Sequence, residues 1–532
     1  MLMKFPANSL SFLLKLPVSL LAKISSYSVV LGLLFASCQS ADTYEKVERW
    51  GVFELELRGP VDGNPYMEVE LHAVFEGENG NTIQVPGFYD GEGIFRVRFS
   101  PPEEGVWSYT TVSNAANLAG KTGNISCVSP SGENHGPLEI INTYYLRYAD
   151  GSPYYGIGTT AYQWTSVKQS IQERTLKTLS NSPFNKIRMC IFPKDYIYGN
   201  KSEPWAYPFG RDSVTNDFTQ PNVEFFQNFD KRVQQLMDMG IQADIILFHP
   251  YDRWGYAEMG AEMNEKYVRY VMARLSAYRN VWWSLANEWD VPSIKDSIDW
   301  KGIGTLLQQE DPHQRFRGIH NWYSSEDHFY DHTEPWITHV STQTYEFYNA
   351  KRWREMYKKP LLFDEMRYEG DVASGWGNLT GKEMAAFFWM GGLSGGYPTH
   401  GDTFKNDSDE ETEVRWWAKG GTLMGESPDR IAFFKSIIEE LPVHEMEPTL
   451  IPGENPQELM KNQYLFSKPG ETYLLYIPEA EQEVVFDLSG EGTYTLQILD
   501  TWGMEVREEK SIDAGEFRFT SIEPYTALKF TR

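Results

Sequence analysis

The chain has 532 residues, too many for one core, and its 41% hydrophobic content suits a globular protein of two or three domains. A formal net charge of −26 excludes a nucleic-acid partner, because a phosphate backbone must be met by lysine and arginine. Three cysteines without ligand-like spacing exclude a disulfide framework and a zinc or iron–sulfur site.

At the N-terminus, Lys4, Lys15 and Lys23 precede the apolar stretch Val29 to Ala36, which is too short to cross a bilayer and reads as an export signal over residues 1–37. Leu34-Phe35-Ala36-Ser37-Cys38 resembles the bacterial lipobox. That resemblance implies cleavage before Cys38 and lipidation of its thiol. It predicts an exported protein of the bacterial cell envelope, in contact with the membrane only through this anchor; an ordinary signal peptide is the alternative. Cys127 and Cys190 fall in different expected domains and read as free thiols, Cys190 inside an apolar strand.

Residues 45–141 alternate short β-runs (Val52 to Arg58, Tyr66 to Phe75, Ile94 to Ser100, Trp107 to Val112) with turns, which predicts an immunoglobulin-like β-sandwich. Phe88-Tyr89-Asp90-Gly91 and Pro101-Pro102 read as loops between strands.

Residues 142–440 change rhythm to strand, loop, helix. Strands are expected at Tyr154 to Gln163, Asn185 to Phe192, Ile241 to Phe248, Asn280 to Asn287, Phe316 to Trp322, Ile337 to Tyr345, Pro360 to Met366, and in a Gly-rich run ending at His400. Eight β/α units over this length predict a (β/α)8 TIM barrel, whose active site lies at the strand C-termini. The segments Tyr196 to Pro221 and Asp371 to Asn378 are expected to wall one end of the cleft and so to favour exo action. The acidic run Asp407 to Glu413 reads as solvated, since it lacks the spacing of a calcium loop. Residues 441–532 lose the helical pattern and predict a second, small C-terminal β-sandwich.

The strand ends collect polar and aromatic residues. Arg188 lies in strand two, His249 ends strand three, Asn287 and Glu288 end strand four, His320, Asn321 and Trp322 end strand five, Tyr345 ends strand six, Glu365 ends strand seven, and His400 and Asp402 follow strand eight. The strand interiors read as Ile, Leu, Val and Phe. Two carboxylates on two strand ends suffice to cleave a glycosidic bond, with no metal or organic cofactor: one protonates the leaving oxygen and the other attacks the anomeric carbon. Carbohydrate is therefore the expected partner. With 15% aromatic residues the chain has rings to stack on sugar faces; Trp164, Trp254, Trp289, Trp322 and Trp376 follow strands or lie in loops, whereas Trp282 and Trp283 read as packing.

A barrel with Asn-Glu on strand four and Glu on strand seven resembles clan A of the retaining glycoside hydrolases over residues 145 to 440. The resemblance implies Glu288 as acid/base, Glu365 as nucleophile, Asn287 on the sugar 2-hydroxyl, Tyr345 orienting the nucleophile, and Arg188 and His320 positioning carboxylate and substrate. The three-part layout also resembles bacterial lipoprotein hydrolases labelled apiosidase-like or collagen-binding. Apiosidase-like barrels often carry Asp where this chain has Glu288, which speaks against apiose as the sugar. The alternatives to a hydrolase are a non-catalytic carbohydrate- or matrix-binding lipoprotein and a transglycosylase using the same residues.

Overall fold

Alternation of buried and exposed residues builds the first layer. The computed structural model describes residues 44–195, 203–249, 253–292, 296–373, 375–406 and 415–532. Within Leu71–Gly77 every second side chain (Leu71, Ala73, Phe75) turns inward, and seven strands close around a core containing Phe53, Phe75, Phe95, Phe99 and Trp107. Their order is Glu45–Glu48, Thr122–Val128, Gly105–Ser113, Leu71–Gly77, Thr82–Tyr89, Ile94–Phe99, Phe53–Arg58. Strand Thr82–Tyr89 pairs with Leu71–Gly77 as far as Pro86 and with Ile94–Phe99 from Gly87 onward, so it passes from one half of the sandwich to the other. A Cβ at Gly87 would stand 2.6 Å from Leu71, which is why this crossing uses glycine.

Two sequence expectations are corrected here. Phe88 and Tyr89 belong to a strand and not to a loop, and Tyr66 sits in the helical turn Pro65–Glu68, where Pro65 fixes the first φ and Asn64 caps the Met67 amide.

The barrel follows the expected rhythm. Its strands are Gly158–Thr160, Lys186–Cys190, Gln242–Phe248, Val281–Ala286, Phe316–Gly318, Val340–Gln343, Leu361–Glu365 and Gly396–His400. All pairings are parallel, and the first strand pairs with both the second and the eighth. The fifth and sixth strands are the two ends of the pairing order. Thr338, just before the sixth strand, joins them instead: its amide donates to the Arg317 carbonyl (2.9 Å), and its hydroxyl accepts from the Arg317 amide (2.8 Å).

The barrel interior departs from the apolar expectation. Ile187 and Met189 pack outward with Val233 and Leu236 of helix Val223–Asp238, while Lys186 and Arg188, at the alternate positions, reach across the axis to carboxylates. Lys186 Nζ lies 2.8 Å from Asp244 Oδ2 and 2.6 Å from Asp364 Oδ1, and all three side chains are buried. Two-residue alternation thus puts aliphatic side chains under the helices and charges on the axis.

The hairpin Phe209–Arg211 with Asn216–Pro221 occupies the later part of the first expected wall. Residues 196–202 of that wall, Ser374 of the second, the acidic segment 407–414 and the signal with Cys38 lie outside the described residues.

Beyond the barrel, six antiparallel strands form one sheet in the order Glu447–Ile451, Gln463–Lys468, Thr472–Ile477, Thr526–Thr531, Glu483–Asp500, Glu505–Thr520. The two long strands shift register between Leu488 and Thr493, where the sheet bends over a core of Leu475, Val484, Leu496 and Phe530. Its other face (Phe466, Leu474, Tyr476) packs on the barrel, with Tyr476 stacked 5.5 Å from Trp389.

Residues 44–532 are one compact unit. Buried charges fasten the N-terminal sandwich to the barrel: Asp230 meets Arg98 at 2.8 Å and Arg274 at 2.6 Å, and Asp90 meets Arg274 at 2.9 Å and Arg96 at 2.7 Å.

Candidate functional site

The two carboxylates sit where strands leave the barrel. Glu365 is the last residue of the seventh strand, and Asn287-Glu288 follow directly on the fourth. Both glutamates are buried. Glu288 adopts φ 63°, a left-handed conformation that costs a non-glycine residue about 1 kcal/mol or more. The next amide, Trp289, donates to the His320 carbonyl (2.9 Å) and pins this turn against the fifth strand's exit.

Arg188 joins the two strand ends. Fully buried, it donates through Nη2 to Asn287 Oδ1 (3.3 Å) and places Nη1 3.7 Å from Glu365 Oε1. Tyr162, just beyond the first strand, donates its hydroxyl to the same Oε1 and stands 3.3 Å from the Tyr368 hydroxyl. The Tyr162 amide donates to the Trp417 carbonyl (3.1 Å), and Lys194 Nζ lies 4.0 Å from the centroid of its ring. Neither Tyr162 nor Tyr368 was singled out from sequence.

Burial alone would raise the Glu365 carboxyl, but the cations Arg188 and Lys194 help hold it below the ordinary carboxylate range, so it is ionised. Burial, reinforced by the charge of Glu365, keeps Tyr162 protonated and therefore a donor. Burial pushes the nearby Cys190 thiol up to about 12; Lys194 and Arg188 oppose that rise, while Glu288 and Glu365 add to it. Cys190 and Cys127 are buried and free.

His320 is buried with Nε2 3.6 Å from Glu365 Oε1, beyond hydrogen bonding, and Nδ1 3.1 Å from Ser341 Oγ. Ser341 in turn donates to Asp364 Oδ2 (2.5 Å). Burial and the charge of Arg188 lower the His320 pKa, so its ring is neutral near pH 7.

Arg188, Asn287, His320 and Glu365 are thus brought together, and Glu288 continues from Asn287. Trp322 lies at the rim, 39% exposed, beside Tyr323 at 40%, with ring centroids 4.5 Å apart. Asp290 holds this pair by accepting the amides of Trp322 (2.5 Å) and Tyr323 (3.2 Å). His249 is buried at the end of the third strand with Nε2 3.4 Å from the Phe192 carbonyl oxygen.

Two expected residues sit elsewhere. Tyr345 is half-buried, 6.0 Å from the rings of both Trp376 and Phe387, and the hydroxyls that meet Glu365 are those of Tyr162 and Tyr368. His400 faces away from the axis, stacked 4.8 Å from Phe184 and 3.2 Å from Thr159 Oγ1, because Thr399 at the alternate position takes the inward place and reaches Asp364. Of the tryptophans, Trp164, Trp254, Trp282 and Trp283 are buried; Trp283 Nε1 donates to Asp311 Oδ2 (2.9 Å).

Residues 141–442 match the family model of an apiosidase-like catalytic domain, and residues 46–114 match a domain of unknown function, DUF5060. A solved structure from Bacteroides vulgatus ATCC 8482, provisionally assigned as a glycoside hydrolase, is 34% identical with a TM-score of 0.82, covering 92% of this chain and 99% of its own. Two more distant structures, each 14% identical and covering 75% of this chain, share the fold. One is named glycoside hydrolase (TM-score 0.59, 97% of its chain), and the other is a glycoside hydrolase family 5 protein from Bacteroides vulgatus ATCC 8482 (0.56, 94%). No curated protein matches the chain.

Proposed function

We propose that this chain, which belongs to the apiosidase-like family of catalytic domains, is a retaining glycoside hydrolase that cleaves β-glycosidic bonds in plant or algal poly- and oligosaccharides. The observation that carries the reading is Arg188, buried between the amide beside Glu288 and the carboxylate of Glu365. A guanidinium in that place holds an ionised nucleophile at a fixed distance from a second carboxyl group.

In this mechanism Glu365 attacks the anomeric carbon while Tyr162 and Arg188 hold its Oε1. Glu288 donates its proton to the leaving oxygen, and once that group has left, it returns as the base that activates water. Asn287, oriented by Arg188, takes the sugar 2-hydroxyl, and the exposed Trp322 offers a face to a sugar ring. The protein acts at the bacterial cell envelope, anchored through a lipid on Cys38.

The test is hydrolysis of a panel of aryl β-glycosides and plant and algal polysaccharides by the native chain and by Glu365→Gln, with products followed by NMR. Release of a β-anomer first, by the native chain alone, supports the proposal. Equal hydrolysis by both proteins removes Glu365 from the mechanism, and glycan binding without product from either favours a binding lipoprotein.

A further inference from the structure

The side chains that cross between the fifth and sixth strands fix a proton. Asp364 is fully buried; burial would raise its carboxyl, but the cations Lys186 and Arg188 hold it well below the ordinary range, so it is ionised and only accepts hydrogen bonds. The single hydroxyl proton of Ser341 is committed to Asp364 Oδ2 at 2.5 Å. Ser341 Oγ therefore turns a lone pair to His320 Nδ1, 3.1 Å away, and that nitrogen must carry the hydrogen. On a neutral ring, Nε2 is then bare, and it has no hydrogen-bond partner.

We propose that Ser341, bonded to Asp364, is a positioning residue that holds His320 in the Nδ1–H tautomer, so that a lone pair and not an N–H faces the Glu365 carboxylate. The 3.6 Å separation of Nε2 from Oε1 is longer than a hydrogen bond, as two facing acceptors require. With the opposite tautomer, Nε2–H would add a donor to an oxygen already held by Tyr162 and Arg188, and would draw negative charge out of the nucleophile. The inference rests on the reading of Glu365 as nucleophile for its effect on rate; the tautomer itself does not.

The experiment is 15N NMR of the full chain labelled at histidine nitrogens, with the His320 signals assigned through His320→Gln. In the native chain near pH 7, Nδ1 is expected at the shift of a protonated ring nitrogen and Nε2 at that of a bare one. In Ser341→Ala the two exchange, and kcat falls about 10- to 100-fold with KM little changed. A native Nε2–H, or a tautomer unmoved by Ser341→Ala, overturns the proposal. If the native chain turns over no glycoside, the proposed function fails while the NMR result still decides the tautomer.

Discussion

Replacing Lys186 by Met tests whether the axial charges hold the barrel together. The variant keeps the apolar stem and removes the ammonium that lies 2.8 Å from Asp244 and 2.6 Å from Asp364. Removing one partner of a buried ion pair costs about 3–5 kcal/mol. Here Arg188 Nε remains 3.4 Å from Asp244, and Ser341 remains on Asp364, so the lower end, about 3 kcal/mol, is expected. That is a large share of the roughly 5–15 kcal/mol that holds a folded protein together.

The effect has a pH signature. In the native protein the folded pKa of Asp364 lies below its unfolded value, so its contribution is fully present above about pH 4 and is lost only as pH falls through the folded value. Without Lys186, burial, the largest influence, dominates and lifts the carboxyl above its unfolded value. The folded variant then takes up a proton as pH falls, and its deficit shrinks from pH 8 to pH 5. Urea unfolding at both pH values, followed by tryptophan fluorescence with Trp282 5.5 Å from the Lys186 ammonium, measures this. A deficit under about 1 kcal/mol at pH 8, or an equal deficit at pH 5, would refute the reasoning.

Three further outcomes are expected. Tyr162→Phe takes a donor from an ionised Glu365, a bond worth about 1.5–3 kcal/mol; the carboxyl pKa rises and the acid limb of the kcat/KM profile moves to higher pH, and an unmoved limb counts against the contact. Arg274→Met leaves Asp90 and Asp230 short of a buried cation and lowers stability by about 3 kcal/mol, read by calorimetry, with earlier proteolysis between the sandwich and the barrel; an unchanged Tm would show the network to be dispensable. Trp322→Ala, at an exposed ring, weakens oligosaccharide binding to the Glu365→Gln protein about tenfold by calorimetry at unchanged Tm, whereas a fall in Tm with intact binding would make Trp322 a packing residue.

Much of the barrel was legible because each strand ends where its apolar run meets polar residues, as at Asn287-Glu288 and Glu365. The site's supporting groups were less so. Lys186-Ile187-Arg188-Met189 carries charges two residues apart, a period-2 signal for a charged face, but its apolar members blend with the run and hide it. Tyr162 was lost because the expected first strand ran on to Gln163 and took it as a strand residue, whereas the strand ends at Thr160 and Tyr162 stands at its exit, 203 positions from its partner Glu365. The strand Thr82–Tyr89 was missed because Pro86-Gly87 carries the signature of a turn, while here those residues mark a passage between two halves of a sandwich.

The C-terminal sheet, packed on both faces, bears on how such proteins are assembled from parts. A detachable module keeps one face for its own core and one for solvent or ligand; this sheet spends its second face on Trp389, which itself lies 5.1 Å from Phe434 in helix Ser427–Ile438. Cutting the chain near Leu441 would bare Trp389 on one piece and Tyr476 with Phe466 on the other, and both pieces would be expected to associate nonspecifically. Barrel and sheet are therefore expected to fold as one unit, and swapping this sheet onto a foreign barrel requires the matching helix surface to travel with it.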